Sequence, residues 1–151
     1  MKKIDIRGSA FAVGQALGAF GHEAWHAKLT QTALWQTVTA MKDAEQTRSM
    51  RSRVQSQYPL IWQELEGLAA GLDAPFDEVF AWNCRGDLVR STSDGCTTVA
   101  GSTAEGELII AHNEDGFPQL RNDCAIVSIT PDDGLAFTSF AYPGSICGHT
   151  F

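Results

Sequence analysis

The sequence predicts an α+β fold, helices first and antiparallel hairpins after, and three observations carry that prediction. Apolar residues recur at helical spacing through most of the chain before residue 91. After it, short β-compatible runs are separated by turn-forming residues. The two patterns succeed one another and do not alternate, which disfavours a βαβ fold.

Ala10 to Phe20 is rich in small apolar residues, with Gly14, Gly18 and Gly21 at spacings of four and three. A glycine face of this kind lets another element approach closely, at a cost in helix propensity. Leu29 to Val54 reads as helical, with Leu34, Trp35, Val38 and Met41 near one face and a polar second half. Pro59 restarts the chain as a first-turn proline. Leu60, Ile61, Leu65, Leu68 and Leu72 then form a stripe, with Gly71 in the last turn. Pro75 opens a further helix whose apolar positions are Phe76, Val79, Phe80 and Leu88. Trp25, Trp35 and Trp62 sit at helical spacings and are expected in the core.

Ser91 to Gly95 is a loop by composition. Cys96 to Ala100 is β-compatible, Glu105-Gly106 is a turn, and Glu107 to Ala111 is a short strand. Ala125 to Thr130 alternates, Asp132-Asp133-Gly134 turns the chain, and Leu135 to Phe140 returns as the partner strand. The sequence stops at Gly148-His149-Thr150-Phe151 without a closing element, and is expected to be the front part of a larger protein.

The chain has 151 residues, 44% hydrophobic and 19% charged, as in an ordinary soluble domain. A chain of this length can bury roughly 70% of its unfolded surface, enough for a core. Eighteen acidic residues against eleven basic ones give a formal net charge of −7. That balance argues against nucleic acid or an anionic membrane as partner. No apolar run approaches the ~20 residues of a membrane span. The charges of Ile4-Asp5-Ile6-Arg7 interrupt any signal-peptide core after Met1-Lys2-Lys3. The expected location is the cytoplasm. Cys84, Cys96, Cys124 and Cys147 show no CxxC spacing, so each is expected to be a packed thiol or a nucleophile.

Asp94-Gly95-Cys96-Thr97-Thr98-Val99 is the most informative stretch. A thiol beginning a strand after glycine is poised to attack the preceding carbonyl, since glycine offers no side chain to obstruct the tetrahedral geometry. The N-to-S shift gives a thioester, and water then frees a new N-terminus at Cys96. Its α-amine, with an ordinary pKa of about 8, serves as general base for its own thiol. One strand later comes Ala111-His112-Asn113-Glu114-Asp115-Gly116. A hairpin through Glu105-Gly106 brings this polar cluster alongside the cysteine.

Gly95-Cys96-Thr97-Thr98 and Asn113-Glu114-Asp115 resemble the two motifs of the acyl-coenzyme A:6-aminopenicillanic-acid acyltransferase family, a branch of the N-terminal-nucleophile (Ntn) hydrolases. Glu64 to Gly71 resembles the family's Glu-x-x-Gly-x-Ala-x-Gly stretch. Asn83-Cys84-Arg85-Gly86-Asp87 resembles its Asn-x-Arg-x-Glu stretch, with aspartate in place of glutamate. Tyr142-Pro143-Gly144-Ser145 resembles its Pro-Gly turn. Glu114 stands where penicillin-forming members carry tryptophan, so a penicillin substrate is not implied.

The resemblance implies the front of a four-layer αββα sandwich. Residues 1–95 would form a pro-segment or small chain, and residues 96–151 the start of the catalytic chain. It implies a self-processing amide hydrolase or acyltransferase cleaved between Gly95 and Cys96, with Cys96 as nucleophile. Asp115 would orient the freed amine, and Asn113 would fix the turn or the substrate. Thr97, Arg85 and His112 are candidate substrate or structural residues; for Arg85 a structural ion pair is an equal reading, and for His112 a local hydrogen bond is the plainer one. The implied substrate is a small amide, a peptide or an acyl thioester, coenzyme A thioesters included, with no metal or dissociable cofactor. The implied assembly is a heterodimer of the protein's own cleaved chains, open to higher oligomers. The family's oxyanion-stabilising asparagine lies beyond Phe151.

A rival motif is His22-Glu23-Ala24-Trp25-His26, a literal HExxH. On a helix both imidazoles share a face and could bind zinc, with Glu23 as general base and Glu45 as a conceivable third ligand. The plainer reading, two surface histidines on an amphipathic helix, outweighs it. A non-catalytic fragment or relative is the third alternative.

Overall fold

The structure, a computed structural model, describes residues 1–89, 97–113 and 116–147, together with the backbone of 149–150. Strand β1 (Lys2–Gly8) leads into helix α1 (Ala10–Ala27). A 3-10 turn at Leu29–Gln31 precedes α2 (Ala33–Thr39), and α3 (Glu45–Gln57), α4 (Pro59–Leu72), α5 (Phe76–Asn83) and α6 (Arg85–Leu88) follow. The strands are β2 (Thr97–Ser102), β3 (Leu108–Asn113), β4 (Ala125–Pro131), β5 (Phe137–Ala141) and β6 (His149–Thr150), with a 3-10 turn at Pro118–Leu120 between β3 and β4.

The mixed α+β class is as expected, but two expectations about order are corrected. A strand comes first, and it lies parallel to β4, pairing Lys2 with Ala125 through Gly8 with Pro131. The sheet order is β1-β4-β5-β6, with β5 antiparallel to β4 and to β6. The charges that interrupt an apolar leader at residues 3–7 are the solvent face of an alternating strand, while Ile6 is buried beneath them. An edge strand carrying charge also discourages stray pairing.

The second correction is the break in Leu29–Val54. The Thr32 side chain accepts the Trp35 N–H at 3.1 Å and starts α2 as an N-cap. That helix ends at Thr39, and buried Thr47, in the first turn of α3, donates through Oγ1 to the Met41 carbonyl at 2.7 Å, tying α3 to the corner before it. A smaller correction concerns Leu135, which stays exposed outside β5.

Helices α1 and α4 cross at backbone contact. A Cβ placed on Gly14 would lie 1.9 Å from the Glu64 carbonyl oxygen, and one on Gly67 would lie 2.0 Å from that of Phe11. Gly18 meets Leu68 and Gly71 meets Gln15 in the same way. The glycine face of α1 thus has a glycine counterpart on α4, and the close crossing brings the helices' flanking residues Leu17, Leu65, Leu68 and Leu72 into one buried core. One sheet face, with Ile6, Val127 and Ile129, joins that core, while Ile126 and Phe140 pair on the other face and are half-buried. Trp25 and Trp35 are buried as expected; Trp62 is only partly buried, against Phe76.

Candidate functional site

Strands β2 and β3 form a separate antiparallel ribbon whose register pairs Thr97 with Asn113 and Thr98 with His112. The turn at Glu105-Gly106 closes it, with Gly106 at φ 85°, a conformation favouring glycine. Across the ribbon's open end, Thr98 Oγ1 and His112 Nδ1 share a 2.7 Å hydrogen bond. The ribbon therefore brings the residue after Cys96 directly opposite the first residue of the Asn113-Glu114-Asp115 element. Gly95, Cys96 and Asp115 themselves lie outside the described residues.

The chain just after Asp115 is firmly held. Gly116 lies so close to the Tyr142 ring that a Cβ would fall 1.9 Å from its hydroxyl oxygen. Phe117 packs on Trp82 at 5.8 Å, and Trp82 continues through Trp35 to Trp25 in a file of aromatic rings. Such contacts fix a polar segment's exit against the helical core. Nothing in the sequence pattern pointed to Phe117 in this role, because its partner lies 35 positions earlier (117 against 82).

Two stretches that entered only as pattern matches are joined in space. Asn83, the last residue of α5, donates through Nδ2 to the Gly144 carbonyl at 3.1 Å and accepts the Ile146 N–H through Oδ1 at 3.0 Å. Gly144, at φ 79°, sits against the Trp25 ring, where a Cβ would be 2.2 Å from ring carbon. The Pro143-Gly144 turn is thereby clamped between α1 and α5. Arg85 lies with its guanidinium 4.9 Å from the Trp82 ring centre and donates to the Trp82 carbonyl at 3.2 Å. Arg85 and Phe117 thus both contact the Trp82 ring.

Among the described residues, Cys84, Cys124 and Cys147 form no disulfide. Burial, aided by the Asp87 carboxylate, pushes the Cys84 thiol up to about 11. Burial does the same to Cys147, also about 11; a hydrogen bond with Ser139 opposes the rise and Glu64 adds to it. Cys124 is buried and donates to the Leu120 carbonyl at 3.2 Å. The raised Cys84 and Cys147 thiols stay protonated at neutral pH and are poor nucleophiles.

The HExxH residues occupy one exposed face of α1, with the His22 and His26 rings 4.6 Å apart. His26 Nε2 is already engaged, donating to the Leu72 carbonyl at 2.8 Å. Lys2 lines the same surface depression as His22 and Glu23, whereas His26 does not line it. Glu45 opens α3, and no group of three or more His, Cys, Asp or Glu suited to a metal occurs among the described residues. His26 thus reads as a helix-to-helix fastener.

A cleft of about 470 Å³ opens beside the ribbon's end. It is lined by His112, Phe117, Arg121, Cys124, Phe140 and Tyr142, among others. It joins the end of β3 to the sheet face opposite the helices, on which Phe140 lies. No family model matches the chain, and no curated protein matches it significantly.

Proposed function

We propose that the protein is a self-processing Ntn amide hydrolase or acyltransferase with Cys96 as its nucleophile. The observation that supports this reading is the ribbon register, which sets Thr97, the residue that follows Cys96 in sequence, against Asn113, the first residue of the Asn113-Glu114-Asp115 motif. The resemblance to the acyl-coenzyme A:6-aminopenicillanic-acid acyltransferase family supplies the chemistry. In the four-layer arrangement it implies, the β2–β3 ribbon belongs to the second sheet, facing the Phe140 side of the first.

In the first turnover the Cys96 thiol adds to the Gly95 carbonyl carbon. The peptide C–N bond breaks, the thiol proton passes to the departing nitrogen, and a thioester forms with a free α-amine at Cys96. Water then cleaves the thioester, leaving the Gly95 carboxylate and the regenerated thiol. In later turnovers the amine removes the thiol proton as sulfur attacks the substrate carbonyl, and the proton goes to the leaving group. Water or an acceptor amine takes the acyl group from sulfur. Asp115 holds the amine in place as its ammonium partner during each cycle. Comparing Asp115→Asn with Asp133→Asn, the latter in the turn before β5, tests the assignment. The first should lower the rate at least about tenfold with the fold retained, and the second should change it little. Equal effects would remove Asp115 from the mechanism.

A further inference from the structure

The cleft beside the ribbon has a chemical bias that the reaction alone does not require. Its walls are aromatic and braced: Phe117 against Trp82 at 5.8 Å, and Phe140 edge-on to Tyr142 at 5.0 Å. Its volume of about 470 Å³ is that of a site for a small molecule. At one side stands Arg121, exposed, next to the 3-10 turn Pro118–Leu120. The nearest acidic side chain in sequence, Asp123, is committed elsewhere, bound to Lys28 at 2.6 Å. Arg121 makes no ion pair among the described residues, in a chain whose net charge is −7. His112, held to Thr98 and adjacent to Asn113, also lines the cleft.

We infer that this cleft binds acyl compounds with an apolar, ring-bearing body and a carboxylate, the carboxylate on Arg121 and the scissile end toward His112 and Asn113. A guanidinium fork matches a carboxylate with two parallel hydrogen bonds, and aromatic walls take the apolar body by stacking. As a substrate class, this rests on the Cys96 reading; as a binding preference, it does not.

The test is a solution NMR titration of the full chain with 4-phenylbutyrate and with its neutral isostere 4-phenylbutyramide. Both should shift the amides of Phe117, Phe140 and Tyr142. The acid should bind about tenfold more tightly than the amide, the scale of one charge-assisted contact. Arg121→Gln should bring the acid down to the affinity of the amide and leave the amide unchanged. The same preference in a Cys96→Ala chain would support the site independently of catalysis. Equal affinities for the two probes, a preference that survives Arg121→Gln, or shifts confined to the exposed ribbon residues Val99 and Ile109 would each overturn the inference. Loss of the preference while processing at Cys96 proceeds would overturn the ligand class and leave the nucleophile assignment standing.

Discussion

Asn83 donates through Nδ2 to the carbonyl of Gly144 at 3.1 Å, across 61 residues of sequence. With Oδ1 accepting the Ile146 N–H, one amide side chain satisfies a backbone acceptor and a backbone donor of the same turn. That is the geometry for which asparagine is chosen over aspartate, which lacks the donor.

Replacing Asn83 should therefore loosen the turn. Asn83→Ala leaves both half-buried backbone groups without this partner and should cost roughly 1–3 kcal/mol. Asn83→Asp keeps the acceptor for Ile146 but turns a carboxylate oxygen toward the Val79 and Gly144 carbonyls, to which Nδ2 donates at 2.8 and 3.1 Å, and should cost at least as much. Urea unfolding of the two variants beside the native chain measures both, and an Asp variant as stable as the native chain would contradict the two-sided clamp.

The α1–α4 crossing gives a sharper expectation. In Gly67→Ala the new methyl meets the Phe11 carbonyl oxygen, a backbone atom at 2.0 Å, so the helices must separate. The loss should reach about 3 kcal/mol or more, at the upper end for an overpacked core. Gly86→Ala, in α6 with nothing within 4 Å, should be neutral or gain up to about 1 kcal/mol from helix propensity. Thermal unfolding of the pair separates close packing from a general intolerance of alanine.

Glu64 should make stability depend on pH. It lines a small apolar cleft with Val13, Leu60, Ile129 and Phe137, and burial raises its carboxyl from 4.5 to about 7. The folded state therefore holds this proton more tightly than the unfolded chain. Its favourable effect is complete below pH 4.5 and is lost as pH rises through about 7. Glu64→Gln should match or trail the native chain near pH 4.5 and gain on it by on the order of 1–3 kcal/mol by pH 8.5. Urea unfolding at the two pH values reads the difference, and a constant gap between native and variant would contradict the raised carboxyl.

Much of this architecture was legible in the residues because local signals act locally. Pro59 at the start of α4, the glycines of α1 and the turns at Glu105-Gly106 and Asp132-Asp133-Gly134 each act through backbone conformation or the absence of a side chain. Strand β1 was hidden because Lys3, Asp5 and Arg7 are legible as charge before they are legible as one face of a strand, and its partner β4 lies more than 100 residues away. The Arg121 cleft was hidden for a related reason: its walls come from segments after β3 and from β5, and only the fold assembles them. The pairing of Thr97 with Asn113 followed from the Glu105-Gly106 turn between their strands.

The central claim is tested most directly by the intact mass of the purified full-length protein, native and Cys96→Ala, with amide hydrolysis or acyl transfer measured on the same samples. The account predicts two chains from the native protein, the second beginning at Cys96, and a single inactive chain from Cys96→Ala. A native protein that stays in one piece, with normal activity surviving Cys96→Ala, would contradict it.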